Sequence, residues 1–414
     1  MNARTPRALA AILCSALALP AGCAQPSGGA ATAGRAEVPH GYVAGAEEMS
    51  EPQSRLVLAD GATGRVHVLD LLTGKVAAVA GEGGVRAVTG DGRFAFLRTG
   101  SGGLRVVDSG VWTVDHGDHS HYYRAAARDL GVITGPPPYD VTGDAAVTAV
   151  RSGDGTVTLL DRARLERGEI AATGTIEAAA VVPYRQHLLV ADAGVIQARP
   201  HPTEPGTTAG TGGPGAATEP GTTGGTGVTV GGCDDPAGVA VTRRGVVFGC
   251  ADGALLVSEK DGAFEGVRIR YPGKPAERER AKEFWHRPGS TTLAAKAGEP
   301  GVWVLDVTAR TWRLLKTGPV VAVTAAGPES PVLTLTRDGV LHAHDPVSGK
   351  ESARTELLSA PLTGSPVIQV DTARAYVNDP AGQVVHEIDY NDGLRRARTL
   401  RPGFAPALMT ETGR

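Results

Sequence analysis

The sequence predicts an all-β fold, a closed β-propeller of about eight four-stranded blades, with seven as the alternative count. Three observations predict it. A unit that opens on Gly and closes on Asp recurs at 64–70, 103–108, 155–161, 301–306 and 339–345, and weaker copies begin near Leu188, Val246 and Ala375. Within each copy the residues alternate, as a strand buried between neighbouring sheets requires, and the whole set fits a repeat of roughly 40 to 45 residues. The copies read as the second strand of each unit. Gly at 57 of 414 residues with 4% aromatics favours a turn-rich β chain over a helical bundle. Finally, Ala405-Pro406-Ala407-Leu408-Met409 supplies a strand to close the ring against the unit at Arg55, which removes exposed sheet edges.

The chain begins with an address. Arg4 and Arg7 precede an apolar run at 8–19, and Pro20-Ala21-Gly22 leads into Cys23. The run is too short for a permanent membrane span, so 1–22 reads as a lipoprotein signal peptide with Cys23 as the lipid carrier. Leu19 stands one position further from Cys23 than the usual lipobox has it, and simple secretion with cleavage near Gly22 is the alternative. Either route places the mature protein outside the cytoplasm, on the outer face of the cell membrane or in the periplasm. Residues 23–54 are Gly, Ala, Ser, Pro and Glu with little to bury, and are expected to form a flexible tether. A random coil of that length spans about 30 Å. Within it Pro39-His40-Gly41-Tyr42 and Glu47-Glu48 stand out, and His40 is an auxiliary ligand candidate.

The propeller domain is expected over 55–414. Two insertions interrupt it. Residues 203–229 are Thr, Gly, Pro and Ala, which cannot pack a core and should form a mobile loop. Residues 274–286 are charged, with a surface helix expected, and end on Phe284-Trp285-His286, making His286 a second auxiliary candidate. Beyond Cys14 and Cys23, only Cys233 and Cys250 remain, and in an oxidising compartment they should pair across the hairpin read at 238–248. Zinc ligation by these thiolates is the rival, with no His nearby to support it.

The densest chemistry lies at Asp115-His116-Gly117-Asp118-His119-Ser120-His121-Tyr122-Tyr123. Three of the eleven histidines and two carboxylates fall within seven residues, more than any packed face needs. Neutral imidazoles with a carboxylate are a ligand set for Zn²⁺, and Gly117 lets close-spaced side chains converge. His116, Asp118, His119 and His121 are therefore the metal candidates, with Asp115 auxiliary. Cu²⁺ and Ni²⁺ also take His-rich sites, and a solvated polar loop is the plain alternative. The insertion is placed after the second strand of the second unit, where it extends a turn. The other histidines, at 67, 187, 201, 342, 344 and 386, sit singly or in pairs and default to core or solvent.

A formal charge of -3 with scattered signs excludes a nucleic-acid partner of the usual basic kind. No nucleophile elbow, phosphate loop or Cys–His pair is present, so no enzyme is expected. Three function classes remain: a zinc carrier, an envelope scaffold with a structural ion, and a propeller hydrolase using a channel metal.

The runs Val38-Pro39-His40-Gly41-Tyr42-Val43, Gly45-Ala46-Glu47-Glu48 and Glu51-Pro52-Gln53, followed by the 115–123 stretch, resemble the periplasmic zinc metallochaperones of the AztD type. The resemblance extends to Cys233, Cys250 and Thr336-Arg337-Asp338-Gly339-Val340-Leu341-His342. It implies a β-propeller, monomeric, that binds zinc at His116, Asp118, His119 and His121 and passes it to the solute-binding protein of a zinc ABC importer. The chain departs from that family at later blade starts, where Tyr139-Asp140, Ala178-Ala179-Ala180 and Asp234-Asp235-Pro236-Ala237 stand in place of further histidines.

Overall fold

Alternating apolar residues with Gly- and Asp-marked turns build antiparallel strands throughout. The computed structural model describes residues 41–81, 83–116, 118–201 and 227–414. The expected signal peptide, the Cys23 anchor, His40 and most of the 203–229 loop lie outside the described residues.

Among the described residues there are nine sheets, seven of four strands and two of three. Eight follow one another along the chain. The first is Arg55–Asp60, Val66–Asp70 and Val76–Ala80, with Pro406–Thr412 from the far end of the chain paired to its inner strand. The second is Val85–Gly90, Phe94–Thr99, Leu104–Asp108 and Arg128–Ile133. The third is Asp140–Gly143, Val147–Arg151, Thr156–Asp161 and Ala172–Glu177, and the fourth Ala180–Tyr184, His187–Asp192, Val195–Pro200 and Val228–Gly232. Val239–Thr242, Gly245–Cys250, Gly253–Lys260 and Ala263–Arg270 form the fifth. The sixth has three strands, Thr292–Lys296, Val302–Asp306 and Thr311–Leu315, and a single bridge from Trp285 to Ala294 stands where its first strand would be. The seventh is Val320–Ala325, Val332–Thr336, Val340–His344 and Glu351–Glu356, and the eighth Ile368–Val370, Ala375–Asp379, Val384–Asp389 and Arg395–Leu400. The ninth sheet joins Glu47–Met49 to a hairpin, Val111–Asp115 and Ser120–Arg124, that rises from the second.

The ninth sheet takes the count above the eight repeat units. The repeat strand is also displaced by one: 103–108, 155–161 and 339–345 are third strands, because each is preceded by two strands and not one. The sequence marks the third strand because its terminal Asp builds the next turn. Asp70 Oδ1 accepts from the amide of Thr73 at 2.8 Å, Asp306 Oδ1 from Ala309 at 2.8 Å, and Asp161 Oδ1 from Arg164 at 2.8 Å.

The central strands of the sheets are buried on both faces. In Arg55–Asp60, Leu56 and Leu58 pack against Tyr376 and Val385 of the eighth sheet, while Val57 packs against Ala95 and Leu97 of the second. Eight apolar clusters fill the seams between successive sheets, including one between the eighth and the first. Burial of these side chains, at about 25 cal/mol per Å² of apolar surface, is what holds one sheet to the next.

Cys233 and Cys250 form a disulfide, as the cysteine count predicts. It ties the end of the fourth sheet to the fifth and does not cross the hairpin itself, which is Val239–Thr242 with Gly245–Cys250. Three boundaries shift. The tether expected to 54 ends earlier, since Glu47–Met49 pairs with Ser120–Arg124 and Gln53 is buried. The loop expected to 229 ends before Val228, which opens a strand paired to Val195–Pro200. The helix expected at 274–286 is a single 3₁₀ turn, Glu277–Glu279, too short to bury a helical face.

Candidate metal centre

The hairpin Val111–Asp115 and Ser120–Arg124 carries the histidine stretch, and its base is anchored hard. Gly110 at its root has φ +73, and a Cβ there would lie 2.5 Å from the Ala125 carbonyl oxygen, so glycine is required where the two strands pinch together. Arg55 Nη1 donates to the carbonyls of Ser109, at 2.5 Å, and Ala125, at 3.1 Å, closing the root from below. Above it Trp112 and Tyr123 are buried and stack at 5.3 Å, with the Arg93 guanidinium 3.7 Å from the Trp112 ring. Trp112 Nε1 donates to the carbonyl of Gly41 at 3.0 Å, which holds the chain before Glu47–Met49 on the same face.

The two-residue period then decides which side chains meet. Val114 lies opposite His121 and Trp112 opposite Tyr123, so one face of the hairpin runs from the aromatic base to a histidine tip. His116 follows Asp115, and its amide donates to the His119 carbonyl at 2.9 Å, turning the chain back. Ring centroids of His116 and His119 are 4.9 Å apart, His116 and His121 5.3 Å, and His119 and His121 5.1 Å. One ring nitrogen from each of the three lies within 4.8 Å of the others. A tetrahedral ion with Zn–N bonds of 2.0–2.1 Å separates its ligands by about 3.3 Å, so modest side-chain rotation closes the set.

Two carboxylates fix the rings. Asp118 Oδ1 is 2.8 Å from Nδ1 of His119, and Glu48 Oε1 is 2.6 Å from Nδ1 of His121. An ionised carboxylate only accepts, so each Nδ1 carries the proton and each Nε2 keeps its lone pair for a metal. Asp118 therefore stands as the hydrogen-bond partner of His119, outside the group of three imidazoles. Asp115 ends its strand opposite Ser120 and contributes no atom to the group. His286 is elsewhere, bridged to Ala325, with Nδ1 donating to the Arg287 carbonyl at 2.8 Å. Its surface is partly open, but the enclosing protein pushes its pKa down. Among the described residues no other group of three His, Cys, Asp or Glu converges this way.

Glu48 is the residue that ligand spacing misses. It is 73 positions from His121, and the hint in the sequence is only that Glu47-Glu48 is polar in a bland stretch. The insertion is also more than an extended turn. It is a hairpin between the third and fourth strands of the second sheet, with a strand partner of its own.

No family model and no curated protein matches the chain. Among solved structures it is similar to AztD from Citrobacter koseri, at 18% identity and a TM-score of 0.67, over 88% of this chain and 99% of that one. Apo AztD from the same organism gives 18% identity and a TM-score of 0.66, over 87% and 98%. The dihydro-heme d1 dehydrogenase NirN in complex with DHE is more distant, at 16% identity and 0.52, over 87% and 76%. The likeness runs the length of the described chain, at an identity that speaks to architecture: the chain has an AztD-type fold.

Proposed function

We propose that this protein is an extracytoplasmic zinc-binding chaperone, anchored through a lipid on Cys23, that hands zinc to the solute-binding protein of a zinc ABC importer. It is not an enzyme in this reading, and its eight serial sheets act as the blades of a closed monomeric ring that presents the hairpin. The observation that carries the proposal is the convergence of His116, His119 and His121, with Nδ1 of two of them held by Asp118 and Glu48. Three protein nitrogens leave one tetrahedral position open. Zinc is the cargo, and an acceptor ligand can enter that position before any histidine lets go. The exposure supports this. His119 is 57% exposed at the hairpin tip, within reach of a second protein, whereas a structural ion would be enclosed.

The test loads the mature protein with one equivalent of zinc and mixes it with the importer's solute-binding protein, following transfer by the acceptor's fluorescence. Transfer faster than spontaneous release into a chelator is expected. Zinc that stays through unfolding of the protein would assign the hairpin to a structural ion in an envelope scaffold, and turnover of a substrate would assign it to a hydrolase.

A further inference from the structure

The first strands of the second to fifth sheets, with residues 282–284 leading into Trp285, surround a cavity of about 720 Å³. Two neighbouring sheets place an arginine on its wall in matching register, and the two are treated differently. In the third sheet Arg151 lies opposite Asp140, with Nη1 3.3 Å from Oδ2, and its Nε donates to the Ala178 carbonyl at 3.1 Å. In the second sheet Arg98 lies opposite Ala87 and has no acid to meet. Its Nε is buried without a hydrogen-bond partner, and none of its nitrogens enters a hydrogen bond or ion pair among the described residues. A buried N–H with no acceptor is unfavourable, and chains normally pair it.

A second polar group lining the cavity is also without a hydrogen bond among the described residues. Glu283 lines the cavity with an exposed side chain, and desolvation by the surrounding protein still pushes its carboxyl above the usual range, with Lys296 pulling the other way and Asp140 adding to the rise. The lining also offers partly open apolar side chains at Val88, Val141 and Val239. The volume falls within the range of small-molecule sites.

We propose that this cavity binds a small organic acid, its carboxylate paired in bidentate fashion with Arg98, a hydroxyl or ammonium served by Glu283, and its body against Val88, Val141 and Val239. The site is independent of the zinc reading. Arg98 pairs with Leu104 at the start of its neighbouring strand, whereas the histidine hairpin leaves after Asp108, which pairs with Phe94 at the opposite end.

Saturation-transfer NMR on the mature protein with L-lactate, L-alanine and inorganic phosphate as probes tests this. Transfer to the methyl group of lactate or alanine is expected, with the dissociation constant raised at least tenfold, on the order of one decade, in Arg98→Gln. Because loss of Arg98 could disturb folding, Ala87→Asp is the second arm. It gives Arg98 the acid that Arg151 already has, so it should raise the melting temperature while abolishing transfer. Equal affinity in the parent and Ala87→Asp overturns the proposal. So does the absence of transfer from either acid at on the order of 10 mM, or binding of phosphate alone.

Discussion

Two pairs of histidines in this molecule sit beside carboxylates, and only one pair is placed to bind a metal. In the seventh sheet His342 Nδ1 is 2.9 Å from Glu351 Oε2 and its Nε2 is 3.2 Å from Thr336 Oγ1, while His344 Nε2 is 3.2 Å from Thr334 Oγ1. Both nitrogens of His342 are engaged, and the rings lie 6.0 Å apart. At the hairpin, His119 and His121 each give one nitrogen to a carboxylate and keep the other for a third ring to share. Proximity of histidines is therefore a weak signal, and the nitrogen left over after local hydrogen bonding is the strong one.

The sharpest way to break this comparison is to delete each pair. His119→Ala with His121→Ala removes two ligands from a site that needs three or four, so competition titration should show zinc affinity falling well over 100-fold, beyond the effect of disturbing supporting groups. His342→Ala with His344→Ala should leave zinc affinity unchanged. Equal losses from the two double variants would end the distinction between engaged and available nitrogens.

The same rule extends to a buried carboxyl. Glu411, on the strand Pro406–Thr412, is fully buried, and neither carboxyl oxygen makes a hydrogen bond, although Arg414 Nη1 lies 3.2 Å from Oε2. Burial pushes its pKa up to about 7, against the pull of Arg414 and with Asp371 adding to the rise. The folded state then holds this proton more tightly than the unfolded chain, so stability is full below about pH 4.5 and falls as pH rises through about 7. The loss amounts to about 3 kcal/mol. Glu411→Gln should flatten that part of the profile, measured by urea unfolding between pH 5 and 8, and a variant as pH-sensitive as the parent would refute the assignment.

A smaller effect separates the carboxylates of the two histidine pairs. Glu48→Gln should weaken zinc binding by about 10- to 100-fold, since it disturbs the orientation of His121 without removing a ligand, whereas Glu351→Gln should do nothing to zinc. Smallest is an effect on acid stability. Burial lowers the pKa of His344, with the His342 charge adding to this, so the folded state disfavours its protonation and stability declines as pH falls through about 6.5. His344→Gln should reduce that decline in the same unfolding series.

Much of this was legible in the sequence, and the reasons differ by element. The Gly-to-Asp repeat was readable because its terminal Asp makes local hydrogen bonds to the next two or three amides, a constraint short enough to recur in sequence. The histidine tip was readable because its three histidines lie on one hairpin. Glu48 was not, because strand pairing between Glu48 and Tyr123 brings together distant positions whose spacing obeys no local rule. The first strands of the sheets escaped for a related reason. Asp140–Gly143 and Ile368–Val370 are only four and three residues long, too short for an alternating pattern to stand out in the sequence. The cavity could not be read at all, since Arg98 and Arg151 look alike until register sets one against Ala87 and the other against Asp140.

The pairing of Pro406–Thr412 with Arg55–Asp60 has a consequence for how the protein is made. Thr412 Oγ1 donates to the carbonyl of Arg55 across 357 positions, so the first sheet to be synthesised is the last to be completed. Until Pro406–Thr412 arrives, the inner edge of Arg55–Asp60 is an unsatisfied row of amides and carbonyls that can recruit any passing strand. Closing it requires the longest loop in the molecule, which makes this a slow step and sets the interval during which the newborn chain is open to aggregation. A substitution that weakens Pro406–Thr412 acts on that interval directly.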